Sequence, residues 1–386
     1  MPSPRSTLAA REAAEARLRD LKDGSKRQLL SLYKEFLKAE RHEIKQSHEN
    51  GASGFETAEH RSAMIDVLLR DAFHHFLDET AAVAKTGREF PITLMASGGY
   101  GRGHLNPGSD IDLQFLVPRS SLNLPKCLTE LVNQFSLLLF DLGLDVSYPV
   151  RSIKEACKFA NKYHQTKTTL LDARFIVGDE SLFQQFEEAF FANCLRGHEK
   201  KYLGERSRDI RTRHNKYGNT VHLQEPNVKE GCGGLRDHHN LIWVLWVLRQ
   251  SRDLHALVEE GRLTKIAYDE IEEAAEFLLR VRHDLHASQK GRSGDILTLR
   301  LQGIVATHPE HSKIFEEDPK RLMRFFLHTQ RRHLRTSPEV RRLFKLNWGL
   351  IDGNFRRNKS NRETFEEILQ NRGQVAHILG RMHRNG

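Results

Sequence analysis

A chain of 386 residues is long enough for two packed units, and with 38% hydrophobic and 29% charged residues it is neither fibrous nor disordered. The net charge of +9 and pI near 9.4 favour an anionic partner: a nucleotide, a nucleic acid or an acidic protein surface. The basic residues are spread without clustering, so charge alone does not choose among these.

In chain order, Ser25 and Gln28 have capping-box spacing and are followed by Leu29, Leu32, Tyr33, Phe36 and Leu37 at helical intervals. This predicts a long amphipathic helix. A polar stretch from Gln46 to Thr57 should interrupt it, and Met64, Val67, Leu68, Leu69 and Phe76 begin another. The texture changes at Phe90. Pro91 to Ala96 is a short apolar run ending in glycines, and Ile111 to Val117 alternates with period two; both predict strands. A helix over Leu122 to Leu142 and a third strand over Leu144 to Val150 follow, Pro149 marking an edge or an end. Beyond Gly178 strand signals nearly vanish. Glu225 to Gly234 reads as a loop leading into an apolar helix after Asp237, and Ile271 to Leu285 and Leu322 to Leu327 have helical spacing.

No apolar stretch approaches the ~20 residues that span a bilayer. The longest, Leu241 to Leu248, reads as a buried helix, and the first ten residues lack a signal peptide's basic start and apolar run. Cys127, Cys157, Cys194 and Cys232 form no C-x-x-C pair, which signals neither a zinc knuckle nor a disulfide framework. A cytoplasmic location and no membrane partner are expected.

The chemistry-bearing residues begin at Gly98-Gly99-Tyr100-Gly101-Arg102-Gly103. Gly98 and Gly99 follow a predicted strand and precede a short helix, so backbone can approach phosphate oxygens closely, with Arg102 placed to add charge. Asp110 and Asp112, two apart on a predicted strand, point to one face. Two such carboxylates repel unless a cation sits between them, and Mg2+ is the natural hard ion for carboxylate oxygens. Asp145, on the third strand, can complete a two-metal site and help deprotonate an attacking hydroxyl. A glycine run alone can also mark a dinucleotide site, but no acidic residue closes a second βα unit as that fingerprint requires.

The segment from Gly98 through Leu105-Asn106-Pro107-Gly108-Ser109-Asp110-Ile111-Asp112 resembles the signature of the DNA polymerase beta-like nucleotidyltransferase superfamily. With the later Glu225-Pro226-Asn227-Val228-Lys229-Glu230-Gly231-Cys232-Gly233-Gly234-Leu235-Arg236-Asp237, the wording is similar to the bacterial PII uridylyltransferase/uridylyl-removing family. Weaker echoes run from about His48 to the C-terminus. The resemblance implies Asp110, Asp112 and Asp145 as catalytic, metal-holding carboxylates for Mg2+ or Mn2+. It implies Gly98, Gly99, Arg102 and Ser109 at the triphosphate, and UTP as donor with a tyrosine of the PII signalling protein as acceptor, in nitrogen regulation. At Asp145 the family often has glutamate, and His104 stands where it commonly has glutamate. Full-length members continue into an HD phosphohydrolase domain and paired ACT domains, and the last ten residues resemble the lead-in to the former, so a truncated chain limited to the forward reaction is expected. The expected organisation is α+β: a helical lead over 1–89, a small mixed-sheet nucleotidyltransferase core over 90–200, and an all-helical domain over 201–386.

Other residues invite weaker readings. His283, Asp284 and His286 fit an amphipathic helix better than an HD site. His238, His239, His328 and His333 lack the spacing of a closed zinc site and are expected mostly at the surface. Trp243 and Trp246 read as core. Lys229 and Arg236 face either the nucleotide or serve a structural helix start. Adenylylation of another protein, nucleotide addition to RNA, and a non-catalytic nucleotide-binding module are the alternative functions. Arg102 is followed by Gly103, where tRNA nucleotidyltransferases usually place Arg-Asp, so no nucleic-acid partner is expected.

Overall fold

The computed structural model describes residues 4–23, 28–84, 91–120, 124–223, 225–288, 295–297, 304–305, 313–331, 335–336, 338–370 and 375–385. The chain divides into two compact units, Met1–Leu297 and Thr298–Gly386. Both sequence-read boundaries, after residues 89 and 200, fall inside the first.

That unit opens with three helices, α1 (Pro4–Asp23), α2 (Leu29–Glu49) and α3 (Gly54–Ala84). The expected interruption is real but shorter than the polar stretch suggests. Polar residues 46–49 stay helical, and the chain turns only at Asn50 to Ser53. Ser25 of the expected capping box lies outside the described residues. After α3 come β1 (Thr93–Ala96), the one-turn α4 (Gly98–Gly101), β2 (Ile111–Val117) and α5 (Lys126–Asp141). The expected third strand is two short ones, β3 (Val146–Ser147) and β4 (Val150–Ser152), broken at Tyr148-Pro149, where proline has no N–H for a ladder. Then follow α6 (Ile153–Lys162), α7 (His164–Leu170), β5 (Arg174–Gly178), α8 (Glu180–Phe190) with a π-helical turn over Phe191–Leu195, α9 (Glu199–Lys216), α10 (Leu235–Arg249), α11 (His255–Glu259) and α12 (Lys265–Ser288). A complete capping box starts α6, where Ser152 and Glu155 satisfy each other's N–H groups.

The strands form one mixed sheet in the order β3-β2-β1-β5. β1 is antiparallel to β2 and β5, while β3 and β4 both run parallel to β2. Alternation along β2 assigns its faces. Ile111, Leu113, Phe115 and Val117 join Leu94 and Ala96 of β1 in one core with Tyr33, Phe36 and Phe73 of the leading helices and Phe135 of α5. Leu116 and Met95 point the opposite way, into a second core with Phe183, Phe186 and Trp243. The leading helices are therefore a layer of the sheet's own core, and Asp112 belongs to the other face. The fold is α+β, mostly helical around this small sheet.

The second unit is described by β6 (Ile304–Val305) parallel to β7 (Arg335–Thr336), with helices α13 (Ile314–Glu317), α14 (Arg321–Arg331), α15 (Pro338–Leu346), α16 (Gly353–Arg357), α17 (Lys359–Gln370) and α18 (Val375–Asn385). Its core gathers Phe315, Leu322, Phe326, Phe344 and Ile368. The two-residue strands are the exception to the all-helical expectation.

Candidate active site

Sheet pleat and turn geometry together build the site. Gly98 sits in the left-handed region at φ +56°, and a Cβ there would lie 2.7 Å from Asp112 Oδ2. Three residues later the space is smaller still, because a Cβ on Gly101 would lie 2.0 Å from the Asp172 carbonyl oxygen. The turn is held from behind: buried Tyr100 hydrogen-bonds Asp66, whose carboxylate takes both Nη groups of Arg174, and Arg174 also donates to the carbonyls of Tyr100 and Gly101.

Asp110 and Asp112 flank Ile111 at the start of β2 and share one face. Burial raises the Asp112 carboxyl above its ordinary range, the Ser147 hydroxyl at 3.0 Å pulls it down, and the charge of Asp110 raises it again. On β3, Ile111 pairs with Val146 and Asp112 with Ser147, and Ile111 N–H donates to the Asp145 carbonyl at 2.8 Å. Val146 packs on the helical-lead core, so the pleat turns Asp145 and Ser147 to the face of Asp112. Asp145 is exposed. Among the described residues no group of three or more His, Cys, Asp or Glu stands ready to hold a metal ion.

A cavity of about 640 Å³ opens over this face. Of the nine residues expected at the site, Gly98, Gly99, Arg102, Ser109, Asp110, Asp112, Lys229 and Arg236 line it, and Asp145 does not. Two motifs more than a hundred residues apart thus meet in one cavity. Ser109 Oγ is buried there without a hydrogen-bond partner. Burial lowers the Lys229 ammonium, reinforced by Arg282, and its nearest carboxylate oxygen, on Asp295, is 3.8 Å away. Arg236 is held by Glu230 at 2.7 Å and 3.2 Å. Arg102 is bound to Asp172, which is buried and also accepts from Trp243 Nε1 at 3.0 Å. Trp243 is core, as expected, but its ring also lines the cavity, with the guanidiniums of Arg102, Arg206 and Arg236 at 5.2–5.5 Å.

The structure corrects the surface reading of the histidines at His239, which is 5% exposed and lines the cavity, its imidazole kept neutral by burial and by Arg102. His328 is exposed as expected, and His333 lies outside the described residues. His286 is on an amphipathic helix as read, yet faces the cavity. Asp172, Arg206, Arg282 and Asp295 also line it and were not singled out by sequence. Asp172, between Leu171 and Ala173, offered one signal: an acid in an apolar run.

Comparison with known proteins adds three findings. Residues 201–344 match the family model described as GlnD PII-uridylyltransferase, and residues 306–386 match that of the uridylyltransferase GlnD third domain. The chain is 32% identical over 299 residues to a bifunctional uridylyltransferase/uridylyl-removing enzyme of Novosphingobium aromaticivorans, covering 77% of this chain and 32% of that protein. It is 32% identical over 324 residues to the protein of the same name in Erythrobacter litoralis, covering 83% and 35%. The chain spans about a third of the length of these curated relatives.

Proposed function

We propose, from the premise that this chain belongs to the GlnD uridylyltransferase family, that its first unit is a nucleotidyltransferase that moves UMP from UTP onto a tyrosine hydroxyl of a PII signalling protein. The observation that carries this reading is the meeting of the glycine-turn and Asp-x-Asp motif with the Lys229 to Arg236 motif around one cavity. The donor set fits a divalent ion. Asp110 and Asp112 offer hard oxygens on one face, Asp145 stands just before the adjacent strand β3 at the edge of that face, and the Asp112 carboxyl is raised by burial and by the charge of Asp110. Mg2+ or Mn2+ bound there would neutralise developing phosphoryl charge and align the attacking and leaving oxygens.

The chain's own groups do the rest. Gly98 and Gly99 let main chain approach the triphosphate, Ser109 and Lys229 reach it from the cavity lining, and Arg102 and Arg236 add positive field from positions fixed by Asp172 and Glu230. Asp145 accepts the tyrosine proton as the hydroxyl oxygen bonds to the α-phosphorus; the bond to the β-phosphate oxygen breaks and pyrophosphate leaves. A turnover screen of the four nucleoside triphosphates with Mg2+ and PII tests this. Pyrophosphate release with UTP in preference to ATP, CTP and GTP supports the reading, and a strict preference for ATP overturns the uridylyl assignment.

A further inference from the structure

Gly108 stands two residues before Asp110, in the turn that delivers that carboxylate to β2. Its N–H donates to Nδ1 of His286 at 3.0 Å. A backbone N–H can only donate, so Nδ1 is the unprotonated nitrogen and the ring proton sits on Nε2. That proton faces Asp295 Oδ1 at 2.9 Å. The His286 side chain is 1% exposed, so water does not compete for either contact. Asp295 also accepts from Arg282 Nε at 2.6 Å, one helical turn before His286 on α12, and its carbonyl accepts the Val228 N–H at 2.8 Å. The same short segment therefore grips the turn before Asp110, through the imidazole, and the loop that carries Lys229, through main chain.

We propose that His286 and Asp295 are positioning residues for the active site: His286 fixes the Asn106–Ser109 turn that leads into Asp110 by accepting the Gly108 N–H, and Asp295 fixes the tautomer and orientation of that ring. Carboxylates orient metal-ligating histidines in this way; here the imidazole holds the backbone amide two residues before the metal-binding Asp110. The inference rests on Asp110 and Asp112 being metal ligands, as proposed above. Productive sites tolerate displacements of only about 0.5 Å, so a loosened turn weakens ion binding before it weakens folding.

The test is Mn2+ titration of the full chain, followed by the paramagnetic resonance of the free ion. A chain carrying Asp110→Asn and Asp112→Asn that binds Mn2+ as the unmodified chain does removes the reading of these two as ligands, and this inference with it. With that control passed, two variants divide the roles of the ring. The amide oxygen of His286→Asn can take the place of Nδ1, whereas His286→Gln can offer an amide nitrogen near Nε2 but leaves the Gly108 N–H bare. His286→Gln should weaken Mn2+ binding at least tenfold and His286→Asn less than threefold. Equal losses in both, or unchanged affinity in His286→Gln, overturn the proposal. Should His286→Gln fail to fold, the isosteric Asp295→Asn, which lowers Tm by removing the charge opposite Arg282, must weaken Mn2+ several-fold at a temperature where circular dichroism shows it fully folded, and an unchanged affinity there overturns the proposal equally.

Discussion

At the scale of single residues, the cavity places charge where the fold alone would not want it. The Asp112 carboxyl is raised in the folded state, first by burial and, through charge, by Asp110. A raised acid contributes stability below its unfolded pKa and loses it as pH rises through the folded pKa, so ionised Asp112 is a liability at neutral pH without a cation. Asp112→Asn should therefore raise Tm by about 1–3 °C in metal-free buffer while cutting turnover by at least ~10²-fold; calorimetry beside a pyrophosphate-release assay reads both. A fall in Tm would assign Asp112 a structural role. The placement of Asp110 and Asp112 together in the cavity lining was legible in sequence because it is local: two acids, one pleat apart, after a glycine turn. Asp172, His286 and Asp295 were not. Each acts through partners brought in by packing, and an isolated His or Asp carries no periodicity that announces a tertiary contact.

At the scale of elements, α3 begins by borrowing from α12. Glu276 accepts the N–H groups of Gly54 and Phe55 at 2.6 Å and 3.1 Å, two of the donors a helix start leaves unsatisfied. Glu276→Ala should cost about 1 kcal/mol, read as a lower denaturation midpoint at unchanged slope. The contact of α2 with α12 adds pH dependence. The ring of buried His283 lies 4.4 Å from that of His48, and its imidazole is lowered to about 4, first by burial and then by the charges of His48 and Arg61. Here the unfolded chain binds the proton more readily, so stability is full above about pH 6.5 and falls as pH drops toward 4. The loss should reach about 2 kcal/mol at pH 5, and His283→Gln should flatten the fall of Tm between pH 7 and 5. Element identity was largely legible, since a short apolar run ending in glycines gave β1, period two gave β2, and helical spacing gave α2, α3, α12 and α14. Boundaries were less so: capping and proline chemistry, at Ser152 and Pro149, decided ends that hydrophobic pattern left open.

At the scale of the whole molecule, the helices that the sequence reads as a lead over 1–89 share one core with the sheet. The apolar faces of α1 to α3 read as an independent lead because each is amphipathic by itself; only the shared core with β1 and β2 reveals that they cover the sheet. The same holds for the cavity, whose walls come from the sheet's other face and from α9, α10 and α12. No helix among the described residues is long and apolar enough to cross a membrane. The net charge of +9 becomes specific only here, where arginines converge around Trp243 behind the glycine turn. Raising salt from 0.05 to 0.5 M should weaken UTP binding several-fold, measured by calorimetric titration. The central claim is tested most directly by the mass of PII after incubation with this chain, UTP and Mg2+. The account predicts the addition of one UMP on a tyrosine, abolished by Asp110→Asn with Asp112→Asn; an unchanged PII mass with folded protein, or equal transfer by that double variant, would contradict it.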